Sequence, residues 1–251
     1  MPTRATSPQP ADFAGFTPKT LDFFRRLRRN NRREWFEAHR EEYERDVLLP
    51  LRSLVEEMDA RLARFAPELV GHPRRSIFRI HRDVRFSRDK TPYKTHAACW
   101  FFHQDTGRGV GVGAGPDGGA AGFYVHLAPG GCYVGGGLWM PPRQALARVR
   151  EALVERQEEF ESVIGSRPFR RTFGALDEER LLTRVPRGFD RDAPAARWLR
   201  FVSFTATRAR PDASMLGPGL PGRLARDFAT VLPFVRWLNR ALGLKATSRR
   251  V

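Results

Sequence analysis

Cysteine is nearly absent from this 251-residue chain, which has only Cys99 and Cys132. Two thiols cannot build a disulfide scaffold, and neither has the Cys-x-x-Cys spacing of a zinc or redox pair, so both are expected to be reduced core residues. Long apolar runs are missing too. No segment approaches the roughly 18 apolar residues of a membrane span, and Arg4 near the N-terminus is not followed by a signal-like apolar stretch. The expectation is a soluble, cytoplasmic protein with no membrane partner. Lysine is the third scarcity: Lys19, Lys90, Lys94 and Lys245 are the only ones among 44 basic residues, leaving 40 arginines. With alanine, glycine and proline abundant as well, this reads as a codon preference that scatters arginine over solvated faces. The net charge of +16 therefore bears on solubility and non-specific binding before it bears on function.

Catalytic signatures are also lacking. There is no G-x-S-x-G elbow, no nucleophile signature around either cysteine and no Walker-type G-x-x-x-x-G-K-[ST]. Gly113 to Gly118 matches G-x-G-x-x-G, but Pro116-Asp117 is turn chemistry and a strand follows where a phosphate-binding helix is required, so a hairpin loop is the expected use. His96, Cys99 and His103 meet no zinc spacing, and on a strand His96 faces away from the other two. No metal site is expected, and no cofactor is indicated.

A chain that is 41% hydrophobic and 29% charged can bury a substantial core. Residues 1–12 are polar and aperiodic and are read as a disordered lead. Thr17-Pro18 opens a helix that should end near Arg29, with Leu21, Phe24 and Leu27 at helical spacing. Asn31 to Glu34 reads as a capping box for a second helix carrying Trp35, Phe36, His39, Tyr43 and Val47. Pro50 should end or kink that helix, and the stripe from Leu51 to Phe65 carries it on to about Ala66. Residues 67–73 read as a connection. Strands are expected from Ser76 into a charged turn, at Ala97 to His103, at Gly122 to Ala128 and at Cys132 to Val134, the last two forming a hairpin. Pro141-Pro142 opens a helix through Ile164, residues 182–194 are loop-like, Trp198 to Thr205 reads as a strand and Leu220 to Leu242 as a final helix kinked at Pro233. Residues 245–251 are a basic tail. The fold expected is a single α+β domain over 13–244, with an antiparallel meander of four or five strands packed against N-terminal and C-terminal helices.

Charge is concentrated in one place. Arg74 to Lys94 holds eight basic residues against Asp83 and Asp89, a net +6 of the chain's +16 in 21 residues. Strand parity puts Phe78, Ile80, Val84 and Phe86 on one face together with Arg82, an exception that needs a carboxylate or a ligand. Arg79, His81, Asp83 and Arg85 take the other face. Two of the four lysines, Lys90 and Lys94, flank Thr91-Pro92-Tyr93, where the drift to arginine was resisted. A lysine ammonium binds phosphate as a point charge and changes its pKa when desolvated, which arginine does not.

Here the sequence resembles a known family. Phe16 to Phe24, Asn30-Asn31-Arg-Arg-Glu34-Trp35-Phe36, Arg79 to Lys94 and Pro186 to Asp190 together are similar to the domain-of-unknown-function family numbered 2461, in consistent order over residues 13–242. The resemblance implies that Asn31, Glu34, Trp35, Phe36, Arg79, Arg82, Asp83, Arg85, Phe86, Asp89, Lys90, Pro92, Tyr93 and Lys94 occupy its motif positions. It implies no activity, substrate or cofactor. Phe189 departs from the more usual tyrosine and removes a hydroxyl.

Four readings of the basic stretch follow. The leading one is a pocket for a phosphate-bearing or carboxylate ligand: Arg79, Arg85, Lys90 and Lys94 on the anion, Asp83 and Asp89 orienting them, Arg82 among them, and Tyr93 as an aromatic wall with a hydroxyl. The second is sequence-independent nucleic-acid binding, helped by Arg25, Arg26, Arg28 and Arg29. The third is metal-assisted phosphoryl or phosphodiester chemistry using Asp83 or Asp89 on a divalent metal, with Lys90 as electrophilic stabiliser. The fourth is a structural ion-pair network, in which local acids or Asp190 and Asp192 cover the bases.

Overall fold

The computed structural model describes residues 13–85, 87–106 and 119–249. The lead expected at 1–12, Phe86, the glycine-rich loop at 107–118 and the end of the tail at 250–251 lie outside the described residues.

Helix α1 (Pro18–Arg29) starts where Thr17 and Pro18 predict, and buries Leu21, Phe23, Phe24 and Leu27. It is followed by α2 (Arg33–Ala38), α3 (Arg40–Tyr43), a π-helical turn (Glu44–Leu48) and α4 (Leu49–Phe65). The chain stays helical through Pro50. An N–H at position 50 would bond the carbonyl of Asp46 in an α-helix, and proline has none. The buried Thr20 hydroxyl donates to that carbonyl instead, at 2.7 Å. A helix-breaking residue is thus accommodated by a donor from α1.

Strands β1 (Leu69–Val70), β2 (Ala97–His103), β3 (Gly122–Leu127), β4 (Cys132–Leu138) and β5 (Phe204–Arg210) form one sheet in chain order, each neighbouring pair antiparallel. This is the expected α+β meander. Pairing aligns Phe101, Phe123, Gly136 and Ala206 in one row, which faces the C-terminal helix α9 (Leu220–Ala241). Phe228 of α9 stacks on Phe123 with centroids 4.4 Å apart and meets Phe101 edge-on at 5.7 Å. Gly136 leaves room for Val231 and Val235. Burying each such aromatic or aliphatic side chain contributes about 1.5–3 kcal/mol. Helices α5 (Arg143–Glu155), α6 (Gln157–Gly165) and α7 (Arg167–Phe173) pack around α9, with Phe160 and Trp237 at 4.8 Å. No helix among the described residues is long and apolar enough to cross a membrane.

Five local expectations are corrected. Ser76 to Arg85 is not a strand: the chain there makes isolated bridges only, Ile77 to Cys99 and His81 to Tyr93. One end pairs with β2 and the other with its own return, and Pro92 offers no N–H to a ladder. Of Phe78, Ile80 and Val84, only Ile80 is buried. The edge position falls to Leu69–Val70, in the stretch read as a connection. Asn31 does not cap α2, whose N-cap is Arg32. The helix expected through Ile164 is broken at Arg156, where φ is −136° and ψ 39°, and α7 follows it unforeseen. The strand expected from Trp198 begins only at Phe204; before it, α8 (Ala196–Leu199) is a helical turn that seats Trp198 against Phe160 at 5.3 Å. Residues 245–249 run back along the molecule: His103 Nε2 lies 3.0 Å from the Lys245 carbonyl, and Arg249 Nη1 donates to Asp59 at 2.6 Å.

Candidate functional site

The basic segment folds as an irregular hairpin whose charges divide into two groups. At its tip, Arg85 grips Asp83 through two nitrogens, at 3.0 and 2.6 Å, and Arg82 pairs with Asp89 and Thr91. Asp89 also accepts from the Thr91 N–H at 2.9 Å, and Lys90 Nζ donates to the Val84 carbonyl at 3.0 Å. The side-chain and backbone donors of Arg85 hold the Asp83 carboxyl at about 2. The Thr91 N–H and Arg82 do the same for Asp89, also at about 2. Both acids are exposed, and each is committed to an arginine rather than open to a metal. Asp190 accepts from the N–H of Asp192 in its own loop. On α1, Arg25 pairs with Asp212 at 3.4 Å and Arg26 with Asp22 at 3.0 Å, which reduces the free charge of that face.

At the base of the hairpin, Tyr93 is buried, its ring stacked on Phe36 at 4.2 Å. Asn31 clamps its backbone from both sides, Nδ2 donating to the Tyr93 carbonyl at 2.8 Å and Oδ1 accepting its N–H at 3.0 Å. Tyr93 is therefore an anchor of the hairpin and not a wall of a pocket. Lys94 sits apart from Lys90, its ammonium 5.5 Å from the Phe78 ring centroid, with its pKa lowered by burial and by the neighbouring Arg79.

Phe78 leads to a concave site that no sequence motif marks. The sheet face turned away from α9 carries a trough of about 590 Å³. Its floor is backbone. A Cβ at Gly122 would run into the carbonyl oxygen of Phe101, one at Gly135 into that of Ala206, and one at Gly137, where φ is +138°, into that of Phe204. Only glycine fits where strands approach this closely, and the strip of sheet between Tyr124 and Thr205 is left without side chains. Trp100, Tyr124 and Phe78 wall one side, with Phe78 and Tyr124 5.9 Å apart. Thr205, Thr207, Asp177 and Glu179 line the other. Asp177 Oδ1 accepts from the Thr207 hydroxyl at 2.8 Å, leaving Oδ2 without a hydrogen bond among the described residues. At one end stands Trp139, 48% exposed, followed by Met140 with a left-handed φ of 43° that its N–H bond to Ser203 Oγ helps hold. A non-glycine residue in that conformation is strained, and such strain concentrates at working sites.

A row of neutral rings continues along this face. His126 stacks on Tyr133 at 4.5 Å and lies 4.2 Å from His96, and the Tyr124 hydroxyl is 3.0 Å from His126 Nδ1. Burial, then the charge of Lys94, lowers His96 to about 4; burial, then His96, lowers His126 to about 3. Burial and the adjacent Tyr133 keep the Tyr124 hydroxyl protonated. In a chain of net charge +16, the trough lining contains two carboxylates and no cation among the described residues. Its chemistry suits stacking on rings and donation to carboxylates, and it does not suit an anion. No group of three His, Cys, Asp or Glu that could hold a metal occurs among the described residues.

The signals for this site were present but quiet: three consecutive glycines, Gly135 to Gly137, inside a strand, and Tyr124, His126 and Tyr133 at alternating positions. Asp177 and Glu179 carried none, because only the fold brings them beside β5.

No curated protein and no solved structure matches the chain. A family model described as "Conserved hypothetical protein (DUF2461)" matches residues 19–237, which span the basic hairpin, the whole sheet and most of α9. The chain belongs to that family.

Proposed function

We propose that the protein binds a small organic molecule in the outer-face trough, one with a flat apolar face and hydrogen-bond donors: a hydroxyl-rich ring or an amine. The observation that carries the reading is the side-chain-free glycine floor between aromatic rings and two carboxylates. Rings such as Trp100 and Tyr124 offer stacking faces, and a cation or sugar face against them gains about 0.5–2 kcal/mol. Asp177 Oδ2 and Glu179 are acceptors for donors on the ligand, and the volume is that of an ordinary small-molecule site. The two free, buried cysteines suit a reducing compartment, and a cytoplasmic location is part of the proposal. A thermal-shift panel of monosaccharides, nucleosides and aryl amines tests it against Thr205→Trp, whose indole would lie over the Gly137 backbone and fill the trough. At least one class should raise the melting temperature of the wild type and leave the filled variant unmoved. Equal shifts in both proteins would place binding elsewhere.

A second reading keeps the anion at the basic segment, reduced to Arg79 and Lys94. Lys94 has no carboxylate partner among the described residues and is half-buried beside Phe78. Inorganic phosphate in the same panel should then stabilise the wild type but not Lys94→Ala.

A further inference from the structure

Strand β5 faces two cavities. Thr205, Thr207 and Ala209 line the trough, while Arg208 and Arg210, out of step by one residue, point to the opposite face. There, between β5, α7 and the first turns of α9, lies a second cavity of about 550 Å³. Asp227 of α9 is only 4% exposed; its Oδ1 accepts from Arg208 Nη1 at 3.1 Å, and its Oδ2 pairs with Arg210. One buried carboxylate thus fixes two guanidiniums and offsets one charge. Arg223, a turn earlier on α9, donates Nε to the Ser214 carbonyl at 2.9 Å and Nη2 to the Leu216 carbonyl at 2.8 Å. Those neutral acceptors orient its fork without neutralising it. Arg226, from α9, and Arg167 and Arg171, from α7, complete the cationic lining, and none of the three meets a carboxylate among the described residues.

Six guanidiniums and one carboxylate leave an excess of five positive charges in this cavity. Arginine is common throughout the chain, so frequency alone argues nothing. Convergence from three separate elements onto one concavity is different: like charges about 4 Å apart repel by ~1 kcal/mol even in water and by more at lower dielectric. Folding brings them together, and a bound anion relieves the repulsion. The planar fork of arginine matches oxyanions with paired oxygens. We infer that this cavity binds a small polyvalent oxyanion of the polyphosphate or phosphate-ester class. A single phosphate, at ~2 negative charges, would offset less than half the excess. The six arginines converge on one concavity of about 550 Å³, which favours a compact ligand over the backbone of a nucleic acid. The ligand class, the residues and the sheet face all differ from those of the trough, so either proposal can fail alone.

The test is calorimetric titration of the full chain with inorganic tripolyphosphate, using three proteins. Arg171→Ala with Arg226→Ala removes two exposed cations that meet no carboxylate among the described residues, and Arg28→Ala with Arg29→Ala removes the same charge from α1. The wild type should bind saturably and the α1 variant should match it. The cavity variant should bind at least about tenfold more weakly, since one charge-assisted hydrogen bond is a factor of about ten or more, while its unliganded melting temperature does not fall and rises if the repulsion is relieved. Absence of saturable binding, or equal weakening in both variants, overturns the inference. So does a short single-stranded oligonucleotide that binds and is not displaced by tripolyphosphate.

Discussion

Replacing Asn31 with alanine should unfasten the hairpin at the heart of the chain's longest motif. The side chain supplies two hydrogen bonds to one residue, 2.8 Å to the Tyr93 carbonyl and 3.0 Å from its N–H. Each contributes about 1 kcal/mol net, and leaving a buried backbone group unpaired costs about 1–3 kcal/mol more. Tyr93 is 3% exposed, so water does not replace the amide freely. The expected loss is about 2–4 kcal/mol, or a melting temperature lower by very roughly 5–15 °C in a chain of this size. Asn31→Asp keeps the acceptor but sets a carboxylate oxygen against the Tyr93 carbonyl, and should destabilise no less. Tyr93→Phe keeps both clamps and the stacking on Phe36 and should cost under about 1 kcal/mol. Equilibrium unfolding in urea measures all three. If Asn31→Ala stays within about 0.5 kcal/mol of wild type, as a typical surface change would, the clamp is not what holds the hairpin. Asn239 makes the same two-way clamp on the buried backbone of Ala121, at 2.9 and 3.1 Å, so the device recurs in this fold.

Two further outcomes follow from the outer face. His96 and His126 are depressed from 6.5 to about 4 and about 3, so the unfolded chain takes up their protons first. Their stabilisation is complete above about pH 6.5 and is lost as pH falls through the folded values, by about 1–2 kcal/mol each after discounting for partial exposure. Asp83 and Asp89, lowered from 3.8 to about 2, lose theirs only below about 4, so the interval from 6.5 to 4 belongs to the imidazoles. His126→Gln should flatten the urea-derived stability across that interval, and an unchanged slope would contradict the assignment. Gly137→Ala adds a Cβ against the Phe204 carbonyl at a φ of +138° and should cost at least about 3 kcal/mol in the same assay. A silent substitution would show that the floor tolerates side chains.

What could be read from the chain was whatever depends on local periodicity. Leu21, Phe24 and Leu27, the stripe from Leu51 to Leu62, and Phe228 with its helical neighbours are buried as their spacing implied. The meander order came from short strands separated by turn residues. Pairing partners were less legible. Asn31 looks like a capping residue yet serves Tyr93, 62 residues away, and Thr20, whose Oγ1 accepts from the Thr17 N–H at the start of α1, also donates to the carbonyl that Pro50 leaves bare. Such roles are set by tertiary contacts and leave no trace in spacing. In the basic segment the charge was plain and Arg82 was read as needing a carboxylate or a ligand, but only the turn sets which acids meet Arg82 and Arg85, namely Asp89 and Asp83. The two cavities rest on Asp177 and Glu179 beside β5 and on arginines from three elements, brought together only by the fold.

The central claim is that the glycine-floored trough is the site of binding. Its most direct test is a crystal structure of the protein with whichever sugar, nucleoside or amine stabilises it most. The account predicts the ligand lying over Gly135 and Gly137, stacked on Trp100 or Tyr124, with a donor to Asp177 Oδ2. A ligand seated at the basic hairpin, or on the α9 side of the sheet, would contradict it.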